Sequence, residues 1–244
     1  IPQLRDNYSY ILYNNLDALI IDPAESGPII EYANNYNLNI KDVFITHHHK
    51  DHTSGVEGII TNFPKANVYS PSSDIENTKF ILKNNDEVNT DINSFKIIST
   101  PGHTLDHITY FDDHNKILFC GDTLFRLGCG RVFEGTLDQM YLSLRKINEL
   151  DNNILVYCGH EYTLANLKFL ESALNKKNLY SNIRQKIENE LKLSKKSVPF
   201  KLDEEKKYNL FLNQESQVGE LVKEELKLEN LDLFKYLREK KDNF

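Results

Sequence analysis

The chain has 244 residues, of which 40% are hydrophobic, and a formal net charge of −7. A chain of this length and composition buries a core as a globular protein, and no apolar run approaches the roughly 18 residues that cross a membrane. The acidic balance, without a stripe of basic residues, disfavours a nucleic-acid surface. We therefore expect neither a membrane nor a nucleic acid as a partner.

Charge is divided unevenly along the chain. Residues 1–165 hold 12 basic and 22 acidic side chains, whereas residues 166–244 hold 17 basic and 14 acidic ones. The acidic part suits the binding of cations, and the mildly basic tail leaves room for a local site that attracts an anion.

The three cysteines, Cys120, Cys129 and Cys158, form no Cys-x-x-Cys pair. Their odd number argues against a disulfide framework and for a reducing compartment. We therefore expect a cytoplasmic protein. An organellar targeting segment missing from before Ile1 is the alternative.

The first predicted elements are a β-hairpin and a helix. Residues 7–13 and 18–21 have strand composition, and Asn14-Asn15 between them favours a turn. Residues 26–37 are predicted to form a helix, with Ser26 as its candidate N-cap.

Residues 46–52 read Thr-His-His-His-Lys-Asp-His and follow a short apolar strand. His47 and His49 are two positions apart, so both imidazoles can point to the same side of an extended or looping segment. Asp51 and His52 follow after a turn and can face a second point nearby. Because imidazoles and carboxylates are ligands of divalent ions, this loop predicts ligands for two metal ions.

Three more candidate ligands, each beside a glycine, stand just beyond predicted strands: His103, Asp122 and His160. The strands that precede them are predicted at 95–99, 117–120 and 154–157. Glycine permits the tight turns that bring a backbone close to an ion. The four candidate ligands of the loop are too few for two metal ions, and the ends of these strands supply further histidine and aspartate ligands.

The later part of the chain is predicted to be helical. Thr136 and Gln139 have the spacing of a capping box. Beyond residue 165 strand signals stop, and apolar residues such as Leu167, Leu170 and Leu174 keep helical spacing. These patterns predict a metal-binding domain over residues 1–165 and a helical domain over residues 166–244.

The chain resembles the metallo-β-lactamase superfamily and, within it, the glyoxalase II (hydroxyacylglutathione hydrolase) family. The stretches that carry the resemblance are Thr-His-His-His-Lys-Asp-His at 46–52, Thr-Pro-Gly-His-Thr at 100–104, Gly-Asp-Thr-Leu-Phe at 121–125, Gly-Cys-Gly-Arg-Val-Phe-Glu-Gly-Thr at 128–136 and Cys-Gly-His-Glu-Tyr-Thr at 158–163. The resemblance implies an α+β fold, a four-layered αββα sandwich with an all-helical C-terminal domain. Residues 1–165 would then be the catalytic domain, and residues 166–244 would bind substrate.

The resemblance also implies a centre of two divalent metal ions, with zinc expected and iron or manganese as alternatives. The implied ligands are His47, His49 and His103 for one ion, Asp51, His52 and His160 for the other, and Asp122 bridging both. Asp51 and Asp122 are the implied catalytic carboxylates. His48 and His114 are expected to face solvent, and His107 to pack against or orient a neighbour.

The family's substrate is the small-molecule thioester S-D-lactoylglutathione, which a metal-bridging hydroxide cleaves to D-lactate and glutathione in methylglyoxal detoxification. The implied substrate contacts are Arg131, Phe133, Tyr162, Arg238 and Lys241, the last two gripping the glycine carboxylate of glutathione. Phe133 replaces a usual tyrosine. The family's Asn-Pro-Phe-hydrophobic-Arg stretch is only partly matched at 209–213, so its role is not carried over.

Three other functions fit some of the same residues. A persulfide dioxygenase of the superfamily uses iron on glutathione derivatives, but we expect it to lack the helical tail. A nuclease could use the same ligands, although the net charge of −7 argues against it. A metal-binding module without activity is the third.

Overall fold

The computed structural model describes residues 1–174 and 177–244, and these residues form two compact units. Unit 1 contains residues 1–99 and 106–121, and unit 2 contains residues 100–105 and 122–244. The functional division at residue 165 remains a prediction.

Unit 1 is a mixed α/β unit. Its strands are β1 (Pro2–Gln3), β2 (Asn7–Tyr8), β3 (Tyr10–Asn14), β4 (Asp17–Ile21), β5 (Asn39–Phe44), β6 (Asn67–Ser70), β7 (Phe80–Ile81), β8 (Glu87–Asn89), β9 (Ser94–Ser99), β10 (Ile108–Asp112) and β11 (Ile117–Gly121). Its helices are α1 (Ser26–Asn35), α2 (Lys50–Thr53) and α3 (Val56–Asn62).

Two sheets carry most of these strands. One has the order β3-β4-β5-β6-β7, in which only the β3–β4 pair is antiparallel. In the other, strands β11, β10, β9 and β8 are successive antiparallel neighbours. Strands β1 and β2 form a separate antiparallel pair.

Aromatic rings fill the space between the two sheets of unit 1. The ring of Phe44 on β5 contacts the rings of Phe95 and Tyr110, which belong to the antiparallel sheet, with both centroids 5.2 Å away. Tyr110 also donates a 2.6 Å hydrogen bond to the carbonyl of Ile45. The buried phenol is thereby satisfied, and it fixes the chain at the point where the histidine-rich loop begins.

Helices α1 and α3 pack against strands β4, β5 and β6 in one hydrophobic cluster. Ile29 of α1 and Ile59 of α3 are fully buried there with Ile20, Val43 and Val68 of the strands. Unit 1 therefore has a helical layer and two sheet layers, and its core forms where the apolar faces of these elements meet.

The predicted hairpin is confirmed as strands β3 and β4, except that residues 7–8 form β2, which pairs with β1. Ser26 is not the N-cap of α1, because Glu25 occupies that position and its side chain makes no capping bond. The chain bends at residues 46–48, as predicted before Asp51, and Asp51 and His52 then lie in the short helix α2.

Unit 2 contains mainly helices. They are α4 (Leu137–Asn148), α5 (Thr163–Leu174), a 3-10 helix (Lys177–Tyr180), α6 (Ser181–Ser194), α7 (Leu202–Tyr208), α8 (Gln217–Leu226) and α9 (Asn230–Asp242). Its strands are β12 (Leu124–Phe125), β13 (Gly128–Cys129), β14 (Leu155–Cys158) and β15 (Phe200–Lys201), of which β12 pairs with β13 and β14 with β15. In the described residues no helix is both long and apolar enough to cross a membrane.

The predicted helical spacing of the tail is confirmed, although not every residue that keeps the spacing is buried. Leu167, Leu170, Phe234 and Leu237 are fully buried, as the pattern requires. Leu221 keeps the same spacing but is 44% exposed. Spacing places a residue on one helix face, whereas its burial depends on what packs against that face.

We expect Thr136→Ala to lower the free energy of unfolding by about 1 kcal/mol. Thr136 accepts a 3.1 Å bond from the Gln139 amide, and the Gln139 side chain accepts a 2.8 Å bond from the Thr136 amide, so the alanine leaves the Gln139 amide without its side-chain acceptor. Urea denaturation measures the loss. Thr61→Ala, the same change at an exposed helical position, is the control; equal losses in both variants would show that the capping box contributes nothing.

Candidate metal centre

The histidine-rich loop of unit 1 follows strand β5. Its backbone stays bonded to neighbouring segments, since Ile45 donates to the Tyr69 carbonyl and Ile108 donates to the Thr46 carbonyl, both at 2.9 Å. The loop therefore leaves the sheet in a fixed direction. His47 and His52 are buried, and His49 is half-buried.

Nε2 of His47 lies 3.1 Å from Nδ1 of His49. Two nitrogens that share one tetrahedral zinc ion at 2.0–2.1 Å are separated by about 3.3 Å. The observed spacing is thus that of two ligand atoms on a single ion. The i, i+2 spacing predicted this placement, and the structure produces it with a bend at residues 46–48.

Asp22, which follows strand β4, fixes the hydrogens on two of these rings. Its carboxylate accepts from the Thr46 amide and hydroxyl, both at 2.7 Å, and lies 3.0 Å from His52 Nδ1. Because the Thr46 hydroxyl donates to Asp22, it accepts from His47 Nδ1 at 3.0 Å. His47 and His52 therefore carry hydrogen on Nδ1 and a lone pair on Nε2, which is the form that binds a metal ion.

Asp51 and His52 lie next to each other on α2. Oδ2 of Asp51 is 3.7 Å from Nε2 of His52, and the Asn7 amide donates to the same carboxylate oxygen at 3.0 Å. Asn7 also donates to the Asp51 carbonyl at 3.1 Å. Both the side chain and the backbone of Asp51 are thus held by strand β2.

Unit 2 brings together the other three predicted ligands. Oδ2 of Asp122 lies 3.2 Å from Nε2 of His160 and 3.5 Å from Nε2 of His103. All three side chains are buried. One carboxylate oxygen within ligand spacing of two imidazoles is an arrangement that can bind a divalent ion.

His103 has its orientation fixed by the backbone of a later segment. Its Nδ1 lies 2.7 Å from the Arg131 carbonyl oxygen. A carbonyl oxygen only accepts, so Nδ1 carries the hydrogen and Nε2, on the Asp122 side, carries the lone pair.

The predicted substrate contacts differ in their exposure. Arg131 and Phe133 are exposed, and the Arg131 guanidinium lies 5.6 Å from the centre of the Phe133 ring. The Phe133 ring contacts the edge of His103 at 5.2 Å. Tyr162 stacks on His160 with centroids 4.7 Å apart. Two aromatic side chains thus border the unit 2 ligands.

Arg238 and Lys241, on α9, are engaged with other groups of unit 2. Arg238 is only 3% exposed; it donates to the Cys129 carbonyl at 3.0 Å and pairs with Asp242 at 2.8 Å. The Lys241 ammonium donates to the Asn166 side chain. Burial, with help from the Arg238 charge, lowers the pKa of Lys241 to about 8.

The remaining histidines of the loop region lie close to the positions expected for them. His48 is partly exposed and pairs with Asp106 at 3.0 Å, and His114 is exposed in a turn. His107 is fully buried and stacks on His47 with centroids 4.8 Å apart.

Asp22 and Asn7 are not among the residues predicted from the sequence. Asp22 follows strand β4 directly, as the candidate ligands follow their strands, so the same criterion could have identified it. Asn7 lies 44 positions from Asp51 in the chain, and no local pattern connects the two.

Two family models match the chain. Residues 3–160 match the metallo-beta-lactamase superfamily, and residues 161–244 match the hydroxyacylglutathione hydrolase C-terminus. A hydroxyacylglutathione hydrolase of Citrobacter koseri is 41% identical over all of this chain and 98% of its own length. One from Salmonella paratyphi A is 39% identical over the same shares.

Solved structures show the same fold. The crystal structure of ETHE1 from Myxococcus xanthus has a TM-score of 0.65 and 25% identity, over 94% of this chain and 90% of its own. A metallo-beta-lactamase from Staphylococcus aureus has a TM-score of 0.61 and 20% identity, over 97% of this chain and 72% of its own. These likenesses confirm the predicted α+β metallo-β-lactamase fold with a helical C-terminal region. Together with the histidine and aspartate sets, they indicate divalent metal binding.

We expect Asp22→Asn to weaken zinc binding about 10- to 100-fold, because an amide cannot accept from all three donors that now face the carboxylate. Competition with a chromogenic chelator measures the affinity. Asp17→Asn, at the exposed end of the same strand, is the control and should bind zinc normally. Unchanged affinity in Asp22→Asn would mean that the ring hydrogens are fixed by other groups.

Proposed function

Because the chain belongs to the hydroxyacylglutathione hydrolase family of the metallo-β-lactamase superfamily, we propose that it hydrolyses S-D-lactoylglutathione to D-lactate and glutathione. The relatives that it matches over 98% of their length are named hydroxyacylglutathione hydrolases. The match of residues 161–244 to the hydrolase C-terminus supports the hydrolase over an iron dioxygenase, for which we expected no such tail.

We propose that the chain binds two divalent ions, with zinc in both positions and iron or manganese as alternatives. The first ion is assigned to His47, His49 and His103, the second to Asp51, His52 and His160, and Asp122 is assigned to both. The observation that carries this proposal is the Asp122 oxygen, at 3.2 and 3.5 Å from the two histidine nitrogens of unit 2.

When bound, the ions supply an acidified water molecule as the nucleophile and a Lewis acid for the thioester carbonyl. The chain holds the ligands in the protonation states that this chemistry needs. Asp22, Thr46 and the Arg131 carbonyl keep the ring hydrogens on Nδ1, so Nε2 remains directed inward. The leaving group is a thiolate of ordinary pKa, about 8–9, so the reaction needs little help from a general acid.

The substrate contacts follow from exposure and charge. We propose that Arg131 and Tyr162 contact the glutathione part and that Phe133 packs against it. Lys241 is proposed to bind the glycine carboxylate directly, with Arg238 adding positive charge beside it. Residues 166–244 would then serve as the substrate-binding domain of a catalytic domain over residues 1–165.

We propose the cytoplasm as the location. The three cysteines are all buried free thiols, which suits a reducing compartment.

The decisive assay compares S-D-lactoylglutathione with a lactoyl thioester of a plain thiol. The proposal expects hydrolysis of the first, a much lower kcat/KM for the second, and loss of both activities on chelation with recovery on adding zinc. Equal rates on both thioesters would remove the glutathione assignment. Oxygen consumption with a glutathione persulfide, without hydrolysis, would assign the dioxygenase activity instead.

Asp122→Asn should reduce kcat at least 100-fold and leave the metal-free fold nearly unchanged, because the amide keeps the shape but lacks the charge assigned to both ions. Steady-state kinetics and metal content measure the effect. Asp113→Asn, in an exposed turn of unit 1, is the control. Near-normal turnover with two bound ions would show that Asp122 is not a shared ligand.

For Lys241 we expect kcat/KM for S-D-lactoylglutathione to fall as the pH rises through about 8. Above this pKa the ammonium loses its proton while the substrate carboxylate stays charged, so their attraction is lost. Complete loss of a charge-assisted hydrogen bond of 1.5–3 kcal/mol corresponds to roughly 10- to 150-fold.

Lys241→Met should lack this alkaline decrease and should bind the substrate more weakly at pH 7. A substrate whose glycine carboxylate is a methyl ester serves as the control, since wild-type kcat/KM for it should not follow the lysine. The same alkaline decrease with the ester would exclude Lys241 as the partner of the carboxylate.

A further inference from the structure

Strands β12 and β13 form a short hairpin, residues 124–129, directly after Asp122. Its two strands are joined through Arg126 and Leu127, and Leu127 has a φ of 58°. A non-glycine residue in this left-handed region costs about 1–2 kcal/mol. The surrounding structure must therefore hold the hairpin in place.

Side chains from the C-terminal helices bind the hairpin backbone at almost every residue. The Asn209 amide donates to the carbonyls of Phe125 at 3.2 Å and Gly128 at 3.0 Å. The Asn166 amide donates to the Arg126 carbonyl at 2.9 Å.

Glu205 and Arg238 complete the set. The Glu205 carboxylate accepts from the Leu127 amide at 2.7 Å and from the Asn209 amide at 2.8 Å. Arg238 donates to the Cys129 carbonyl at 3.0 Å. We call Asn166, Glu205, Asn209 and Arg238 the hairpin clamp; all four are buried.

The hairpin also inserts one of its own side chains among the helices. Arg126 is 2% exposed, donates to the Ser197 carbonyl at 2.9 Å, and pairs with Glu190 and Glu204. A buried guanidinium without such partners would be strongly destabilising. The hairpin is thus bound through both its backbone and its side chains.

Gly130 and Arg131, directly after the hairpin, contact the candidate metal ligands of unit 2. Gly130 donates to the Thr123 carbonyl at 3.3 Å, and a Cβ on Gly130 would lie 1.9 Å from the Asp122 carbonyl oxygen. Arg131 supplies the carbonyl that orients His103. The place of the hairpin therefore determines both the backbone position of Asp122 and the ring orientation of His103.

We propose that the hairpin clamp sets the metal affinity of the centre by holding the segment that positions Asp122 and orients His103. Asn209 and Glu205 are then positioning residues, which act through the hairpin backbone and touch no metal ligand. The inference rests on the metal centre of the proposed function, and it gives the helical C-terminal region a role in addition to substrate binding.

The test is zinc affinity in the full-length protein without substrate, by competition with a chromogenic chelator. Asn209→Ala should bind zinc about 10- to 100-fold more weakly, as expected when the group that orients a ligand is loosened. Asn213→Ala is the matched control. Asn213 donates to the Lys206 carbonyl and accepts from the Glu215 amide, bonds that do not involve the hairpin, so its variant should bind zinc within about twofold of wild type.

The metal-free Tm of both variants separates positioning from general destabilisation. Wild-type zinc affinity in Asn209→Ala, or equal weakening in Asn213→Ala at the same Tm, overturns the proposal. If Asn209→Ala does not fold, Glu205→Gln replaces it; this variant keeps the shape and should weaken zinc binding about three- to tenfold.

These outcomes do not depend on the identity of the substrate. If the wild type fails to hydrolyse S-D-lactoylglutathione, the proposed function is wrong, and the difference in zinc affinity still tests the clamp. If hydrolysis is normal and zinc affinity is unchanged in the clamp variants, only the clamp is wrong.

Discussion

The position of the hydrogen on each imidazole ring is the constraint on which the rest of the site depends. A neutral histidine binds a metal ion only through the nitrogen without hydrogen, so a nearby acceptor must hold the hydrogen of the other nitrogen. In unit 1 the acceptors are the Thr46 hydroxyl and the Asp22 carboxylate. In unit 2 the Arg131 carbonyl has this role for His103. These acceptors decide which atom of each ring can face an ion.

The parallel pairing of β4 and β5 brings the acceptors of unit 1 into place. Ile21 is opposite Phe44 in the register, so Asp22 and Thr46, which come after the two strands, leave the sheet side by side. Gly121, at the end of β11, has a φ of 46°, and a Cβ there would lie 2.5 Å from the Thr46 hydroxyl. The glycine is therefore required both by its backbone conformation and by the close approach to this network.

In unit 2 the acceptor that orients His103 is held in place by helices that are distant from it in the sequence. The carbonyl that orients His103 belongs to a segment whose hairpin is bound by side chains of α5, α7 and α9 and of the residues just after α7. Buried side chains such as Arg126 and Glu205 are costly unless they are paired, and burial raises the pKa of Glu205 to about 7. Glu205 accepts from the Leu127 and Asn209 amides, and Arg126 donates to the Ser197 carbonyl and pairs with Glu190 and Glu204. Their burial is therefore compatible with stability. The helical region, which the resemblance implies to be a substrate-binding domain, thus also binds the hairpin next to Asp122.

The sequence by itself predicted the candidate ligands, their strand-end positions and the helical tail, because hydrophobic periodicity and local spacing record which residues share a face or follow a strand. It also determined the family, through motifs such as residues 46–52 and 128–136. Only the tertiary structure identified Asp22 and Asn7 as the groups that hold the loop, found the short helix under Asp51 and His52, and placed Arg238 in the interior against the Cys129 carbonyl. Apart from the short helix, whose backbone bonds are local, these features depend on hydrogen bonds between residues from 24 to 109 positions apart. Such partners are chosen by strand register and helix packing, which leave no periodic signal in the sequence.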